Sequence, residues 1–127
     1  MAFQYQQHYT RDEARALLPR IRQWLKQLSA LRQKLSDYDQ RMARLMAGGN
    51  DLGGETVNQW VRVAADVKAT LAEFQRREIQ IKDLDRGLID FPAILDGKEV
   101  FLCWEQDEED IEYWHDLQSG YAGRERL

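Results

Sequence analysis

The residue types that do chemistry gather in the last third of this 127-residue chain. Asp90, the lone cysteine Cys103, Glu108 and His115 offer two carboxylates, a thiol and an imidazole, with Glu112 in reserve. These are the groups from which zinc and iron take their ligands, and they also serve in acid–base catalysis. Glu112 and His115 have the Glu-x-x-His spacing of di-iron bundle proteins, but such sites need a second copy of the motif and the chain has none. No Cys-x-x-Cys or His-x-x-x-His pair occurs either. In the bland alternative each residue has a structural role. Asp90 pairs with Lys82, Cys103 fills a small buried space, and His115 packs with its nitrogens hydrogen-bonded. A cysteine hydrolase using Cys103, His115 and Asp90 is a third and weaker reading, because a mid-strand cysteine has no helix N-terminus to lower its pKa.

The elements that must position these residues start from a turn. Asp96-Gly97 suits a two-residue type I′ hairpin. That turn fixes the register: Ala93, Phe91 and Ile89 face Val100, Leu102 and Trp104, an apolar set. On the other face Ile94, Pro92 and Asp90 meet Glu99, Phe101 and Cys103, a mixed set. A sheet with one side on a helix layer reads this way. Asp85-Arg86-Gly87 fits a three-residue loop with glycine at the left-handed position, which adds a strand from Ile79 to Leu84. Ile81 then lies near Phe91 and Lys82 near Asp90, so a polar row of Lys82, Asp90 and Cys103 crosses a three-stranded meander. Pro92 should sit where its missing amide does no harm to the ladder. Acids from Glu105 to Asp110 ahead of Ile111 suit the start of a short helix at 108–117. On it, Glu108, Glu112 and His115 would share one face, and Ile111, Trp114 and Leu117 the buried one.

Upstream the chain reads as helical support. Phe3, Tyr5 and Gln7 alternate with polar residues, as in a short strand or extended arm. Thr10 with Glu13 three residues later is a capping box. Ala14, Ile21, Leu28, Leu35 and Met42 then form one heptad row, and Leu17, Trp24, Leu31, Tyr38 and Leu45 the other. A helix from about residue 11 to 47 is roughly 55 Å long, with a kink expected near Pro19. The cluster from Gly48 to Gly54 ends it; it lacks the preceding strand and the Gly-Lys-Ser/Thr of a phosphate loop. Val57, Ala64 and Leu71, with Trp60, Val67 and Phe74, make a second helix over about 55–77. The short connection makes the two antiparallel neighbours. The longer first helix overhangs, so Leu17, Leu18, Ile21 and Trp24 need cover from the sheet or from a second copy.

Composition narrows the function classes. Hydrophobic residues make up 43% and charged residues 31%, as in ordinary globular proteins. No apolar run is long enough for a membrane span, and no export signal is visible at the N-terminus. A lone cysteine agrees with a reducing compartment, so the expected location is cytoplasmic. The net charge of −4 hides an asymmetry. From Arg11 to Arg44 there are nine basic and four acidic residues; from Ile79 onward, thirteen acidic and five basic. Such a balance disfavours a general affinity for nucleic acid.

A resemblance is carried by Tyr9-Thr10, Glu13-Ala14 and Leu17-Leu18-Pro19 at the front and by Lys82-Asp83 with Gly87 to Pro92 in the middle. Glu99 to Trp104, Tyr113-Trp114-His115, Gly120 and Gly123-Arg124 complete it. With these motifs the chain resembles a family of small bacterial proteins catalogued as domain of unknown function 2203. It departs where the family usually has Gly-Glu-Pro, since Asp107-Glu108-Glu109 keeps only the glutamate. The resemblance implies an architecture and points at residues without supplying an activity.

The sequence therefore predicts one α+β domain over 1–127. A helical hairpin (10–78) packs on a three-stranded antiparallel meander (79–105), followed by a short helix and tail (106–127). The leading functional expectation is an interaction or assembly module that forms a homodimer through the hairpin. The alternative is a metal-binding protein or metal-dependent enzyme, holding a divalent metal such as zinc or iron on Asp90, Cys103, Glu108 and His115.

Overall fold

The computed structural model describes residues 2–49 and 54–127. Two long helices, α1 (Arg11–Ala47) and α2 (Glu55–Arg76), precede an antiparallel sheet. Its strands are β1 (Gln80–Asp83), β2 (Leu88–Leu95), β3 (Lys98–Glu105), β4 (Tyr113–Asp116) and β5 (Glu125–Arg126), ordered as a simple meander. The sheet thus has five strands rather than three. No helix is long and apolar enough to cross a membrane among the described residues.

Residues Lys26–Ala72 form one compact unit, made of parts of α1 and α2. There Tyr38 Oη donates to Gln59 Oε1 (3.0 Å) and Trp60 Nε1 to Asp39 Oδ1 (2.9 Å), tying α1 to α2. Of its described side chains only Leu28 and Thr70 are buried. The rest of both heptad rows is half-covered, because two helices alone cannot enclose an apolar stripe of this width. Asn50 to Gly53, the middle of the expected glycine-rich connection, lie outside the described residues.

Residues 2–25 and 73–127 form the other unit, which contains the sheet. The expected capping box is present: Glu13 N donates to Thr10 Oγ1 (3.1 Å) and Thr10 N to Glu13 Oε1 (3.0 Å). The helix runs through Pro19 without interruption. Ala14, Leu18, Ile21 and Leu25 are buried, and Trp24 stacks edge-on against Phe74. The overhanging start of α1 is therefore covered by its own chain. The basic excess of α1 also has an internal partner, since Arg15 holds Asp110 through two nitrogens (2.8 and 2.9 Å). Arg22 donates to the carbonyls of Gln106 and Glu108 and lies over the Trp104 ring.

The β2–β3 register is the expected one throughout, from Leu95↔Lys98 to Ile89↔Trp104 with Asp90 opposite Cys103. Asp96 and Gly97 both take positive φ, as a type I′ turn requires. Pro92 carries its carbonyl on the edge away from β3, where it accepts from Tyr9 N (2.7 Å). In a strand the nitrogen of a residue points the same way as its carbonyl, so the missing donor costs the β2–β3 ladder nothing.

Two further expectations fail. The outer register is shifted: Gln80 lies opposite Asp90 and Ile81 opposite Ile89, and the pairing breaks between Ile81 and Asp83. The Asp83 carboxylate accepts from Arg86 N (3.1 Å), which closes a longer loop than the three-residue one and leaves Lys82 in a bulge. The short helix at 108–117 is absent as well. The acidic run forms a turn, with Glu108 N on the Glu105 carbonyl (2.8 Å) and Glu105 N on Glu108 Oε1 (2.8 Å). The chain then pairs Tyr113 to Asp116 along β3. Tyr and Trp favour strands, and β3 presents a free edge whose amides and carbonyls need partners. The only helical piece of the tail is a single 3-10 turn at Tyr121–Gly123.

Candidate functional site

Both faces of the sheet are covered, the mixed one incompletely, since Ile94 is exposed and a cavity lies beside Asp90 and His115. Ile89, Phe91, Ala93, Val100, Leu102 and Trp104 line the apolar face and are all buried. The mixed face is covered by the two ends of the chain. Along the N-terminal arm, which is extended but forms no strand, the Glu99 carboxylate accepts from Gln4 N, Tyr5 N and His8 Nε2. Glu78 Oε1 accepts from Gln6 N and Gln7 N. The arm thereby sets the Tyr5 ring 5.4 Å from that of Phe101, which in turn lies 5.6 Å from His115. From the other side Arg124, delivered by the 3-10 turn, donates to Glu108 Oε2 (2.7 Å) and Oε1 (3.3 Å) and reaches Cys103 Sγ at 3.8 Å. Its guanidinium also stacks on Tyr113 and Tyr121.

Beneath these covers lie Asp90, Cys103 and His115, exposed by only 1%, 0% and 2%. Strand alternation explains their meeting. Asp90 faces Cys103 across β2–β3, and His115 on β4, paired with Phe101, points to the same face two residues along. Their ligand-type atoms all lie within 4.8 Å of one another. His115 Nδ1 is 2.6 Å from the carbonyl oxygen of Asp116. A carbonyl only accepts, so Nδ1 carries a hydrogen and donates it. Nε2 is then left facing Asp90 Oδ2 at 2.9 Å. A hydrogen bond there needs one proton, held by the carboxyl against a neutral imidazole or by an imidazolium against a carboxylate. Burial pushes the Asp90 carboxyl above its ordinary value, against the opposing pull of His115, the Cys103 thiol and Lys82. The second carboxyl oxygen, Oδ1, is buried and makes no hydrogen bond of ordinary distance and angle, although the Cys103 thiol across the strand pair is near enough to pull on the carboxyl.

Burial, reinforced by the charge of Asp90, pushes the Cys103 thiol up to about 12 against the pull of Arg124. A thiol so placed is neutral at pH 7 and a poor nucleophile, and His115 spends its nitrogens on Asp90 and Asp116 rather than on sulfur. The hydrolase reading loses its activated nucleophile.

A family model described as "Uncharacterized conserved protein (DUF2203)" matches residues 7–127, a span that contains every residue of this cluster. The chain belongs to the DUF2203 family. No curated protein and no solved structure matches it. The motifs that carry the DUF2203 resemblance include Asp90, Cys103, His115 and Arg124, and in this member they lie, with Glu108, in one connected cluster.

Of the five candidate residues, the structure brings Asp90, Cys103 and His115 together. Glu108 stands behind Arg124, which occupies both of its oxygens. Glu112 lies just before β4, 3.7 Å from Arg126 and clear of the cluster. Lys82 is not the ion-pair partner of Asp90; its Nζ lies 5.2 Å from the centroid of the Phe101 ring. Sequence reasoning misses Arg124 as a contact of the thiol and Tyr5 as part of the cover. The Gly120-x-x-Gly123-Arg124 motif is the available signal for Arg124; the Phe3, Tyr5, Gln7 alternation marks Tyr5 as part of an arm without saying what it covers.

Proposed function

We propose that Asp90, Cys103 and His115 form a binding site for a divalent transition metal, zinc foremost. The observation that carries this reading is the buried cluster: one carboxyl oxygen of Asp90, an imidazole nitrogen and a thiol sulfur lie within 4.8 Å of one another, and Asp90 Oδ1 makes no well-formed hydrogen bond. Leaving such an atom unpaired costs about 1–3 kcal/mol, and a cation would remove the cost. The donor set of one oxygen, one nitrogen and one sulfur suits zinc. A metal would take the place of the proton between Nε2 and the carboxyl, while the Nδ1–H bond to the Asp116 carbonyl is the support a ligating imidazole normally has. Arg124 offers an N–H to the sulfur once the thiol has lost its proton. Loading at pH 7 then releases about two protons, one from Cys103 and one from the Asp90–His115 pair.

The test is metal analysis of protein purified without an affinity tag, incubated with zinc and freed of excess. About one equivalent is expected, falling below about a tenth for Cys103→Ser and for His115→Ala. A parent protein holding less than about a tenth of an equivalent would refute the assignment.

A second reading rests on a separate observation. In the unit Lys26–Ala72, Leu31, Leu35, Tyr38, Met42 and Leu45 of α1 and Val57, Trp60 and Val67 of α2 all remain partly exposed. We infer that a second copy of the hairpin covers this stripe, giving a four-helix homodimer. Light scattering across micromolar concentrations should give the dimer mass; a monomer mass throughout would rule it out.

A further inference from the structure

Beside the three candidate ligands lies a cavity of about 300 Å³, lined by Lys82, Leu88, Asp90, His115, Gln118 and Tyr121 among others. Resting on the metal reading above, we propose that this cavity receives a small monocarboxylate ligand, whose carboxylate completes the coordination of the metal while Lys82 balances its charge.

Two observations converge on this. Glu108, the expected fourth ligand, is held by Arg124 and by the Glu105 amide, which leaves three protein ligands. Three protein ligands with one open position is the arrangement of zinc sites that act on a bound molecule, whereas structural sites are closed by four. Two of the three ligands, Asp90 and His115, form part of the cavity wall, so an open position on that side has space in front of it.

Charge then selects the class. A divalent ion with the Asp90 carboxylate and the Cys103 thiolate is neutral overall. Lys82 is the one cation among the lining residues; its charge reaches the Asp90 carboxyl, but its Nζ lies over the Phe101 ring rather than in a salt bridge. The site therefore has room for one negative charge. The volume is at the lower end of small-molecule sites, which suits a ligand of a few heavy atoms. Leu88 and the Tyr121 ring offer apolar contact to its remainder, and the Gln118 amide a single polar one.

Cobalt supplies the experiment. Full-length protein is loaded with Co²⁺, whose visible bands report the ligands and include a sulfur-to-metal transition, and acetate is titrated in. Acetate is expected to shift the bands saturably, and Lys82→Ala to weaken its apparent affinity about tenfold, the loss of one charge-assisted contact. Bands that form and ignore acetate would overturn the carboxylate proposal and leave the metal reading standing. Absence of any band would remove both. Saturation by inorganic phosphate with acetate silent, or an acetate affinity unchanged in Lys82→Ala, would also overturn it.

Discussion

Replacing Asp90 by asparagine separates what the carboxyl does for the fold from what it does for a ligand. The two side chains are nearly isosteric. In the metal-free protein the His115 Nδ1 hydrogen is committed to the Asp116 carbonyl, so the asparagine amide can donate to the neutral Nε2 in place of the carboxyl. One hydrogen bond is exchanged for another, and stability near neutral pH should stay within about 1 kcal/mol of the parent. The pH dependence has a definite sign. Asp90 has a folded pKa raised by burial, so its contribution to stability is present below the unfolded value near 3.8 and is lost as pH rises through the folded pKa. Asparagine has no such loss. The variant should therefore gain on the parent as pH rises through that window, and the difference should then level off. Zinc reverses the comparison. At a free concentration of about 100 times Kd it stabilises the parent by about 2.7 kcal/mol, or about 10 °C in Tm for a chain of this size. The asparagine side chain supplies no anionic oxygen, and the shift should fall to less than about a quarter of that. Thermal unfolding by circular dichroism, with chelator and then with zinc, reads both effects. Equal zinc shifts in the two proteins would refute the role given to Asp90. A difference in metal-free stability that moves against the variant as pH rises would refute the burial argument.

Three further outcomes follow from the structure. Cys103 should resist a thiol reagent at pH 8 in the native metal-free protein and react fully in denaturant, because it is buried and its thiol is pushed up to about 12; fast native labelling would contradict this. Thr10→Ala removes the side chain that accepts from Glu13 N and should cost about 1 kcal/mol in chemical denaturation, with the helical signal of the folded state unchanged. Gly87→Ala should cost more, about 2 kcal/mol, since Gly87 has φ +63° and an added Cβ would stand 2.6–2.7 Å from the Gln106 side chain; a neutral result would mean that the loop rearranges freely.

Legibility in the sequence follows the range of the physics. The capping box, the helix limits and the Asp96-Gly97 hairpin depend on residues close in the chain, and each appears where local chemistry puts it. The three-residue loop at Asp85-Arg86-Gly87 rests on its glycine alone, whereas the Asp83 carboxylate on the Arg86 amide shifts the outer strand. The tail departs from expectation for a different reason. Acids before an apolar segment do favour a helix start, but a helix over 108–117 would leave the edge of β3 without partners. Pairing along that edge changes the period of the tail from 3.6 to 2, and with it the company His115 keeps. At helical spacing it would join Glu108 and Glu112 on one exposed face. At strand spacing it lies on the Asp90–Cys103 face, while Glu108 turns back to meet Arg124. The change of period is thus what separates a three-residue cluster beside a cavity from a four-ligand closed site, and so the proposal of an open coordination position depends on β4 being a strand.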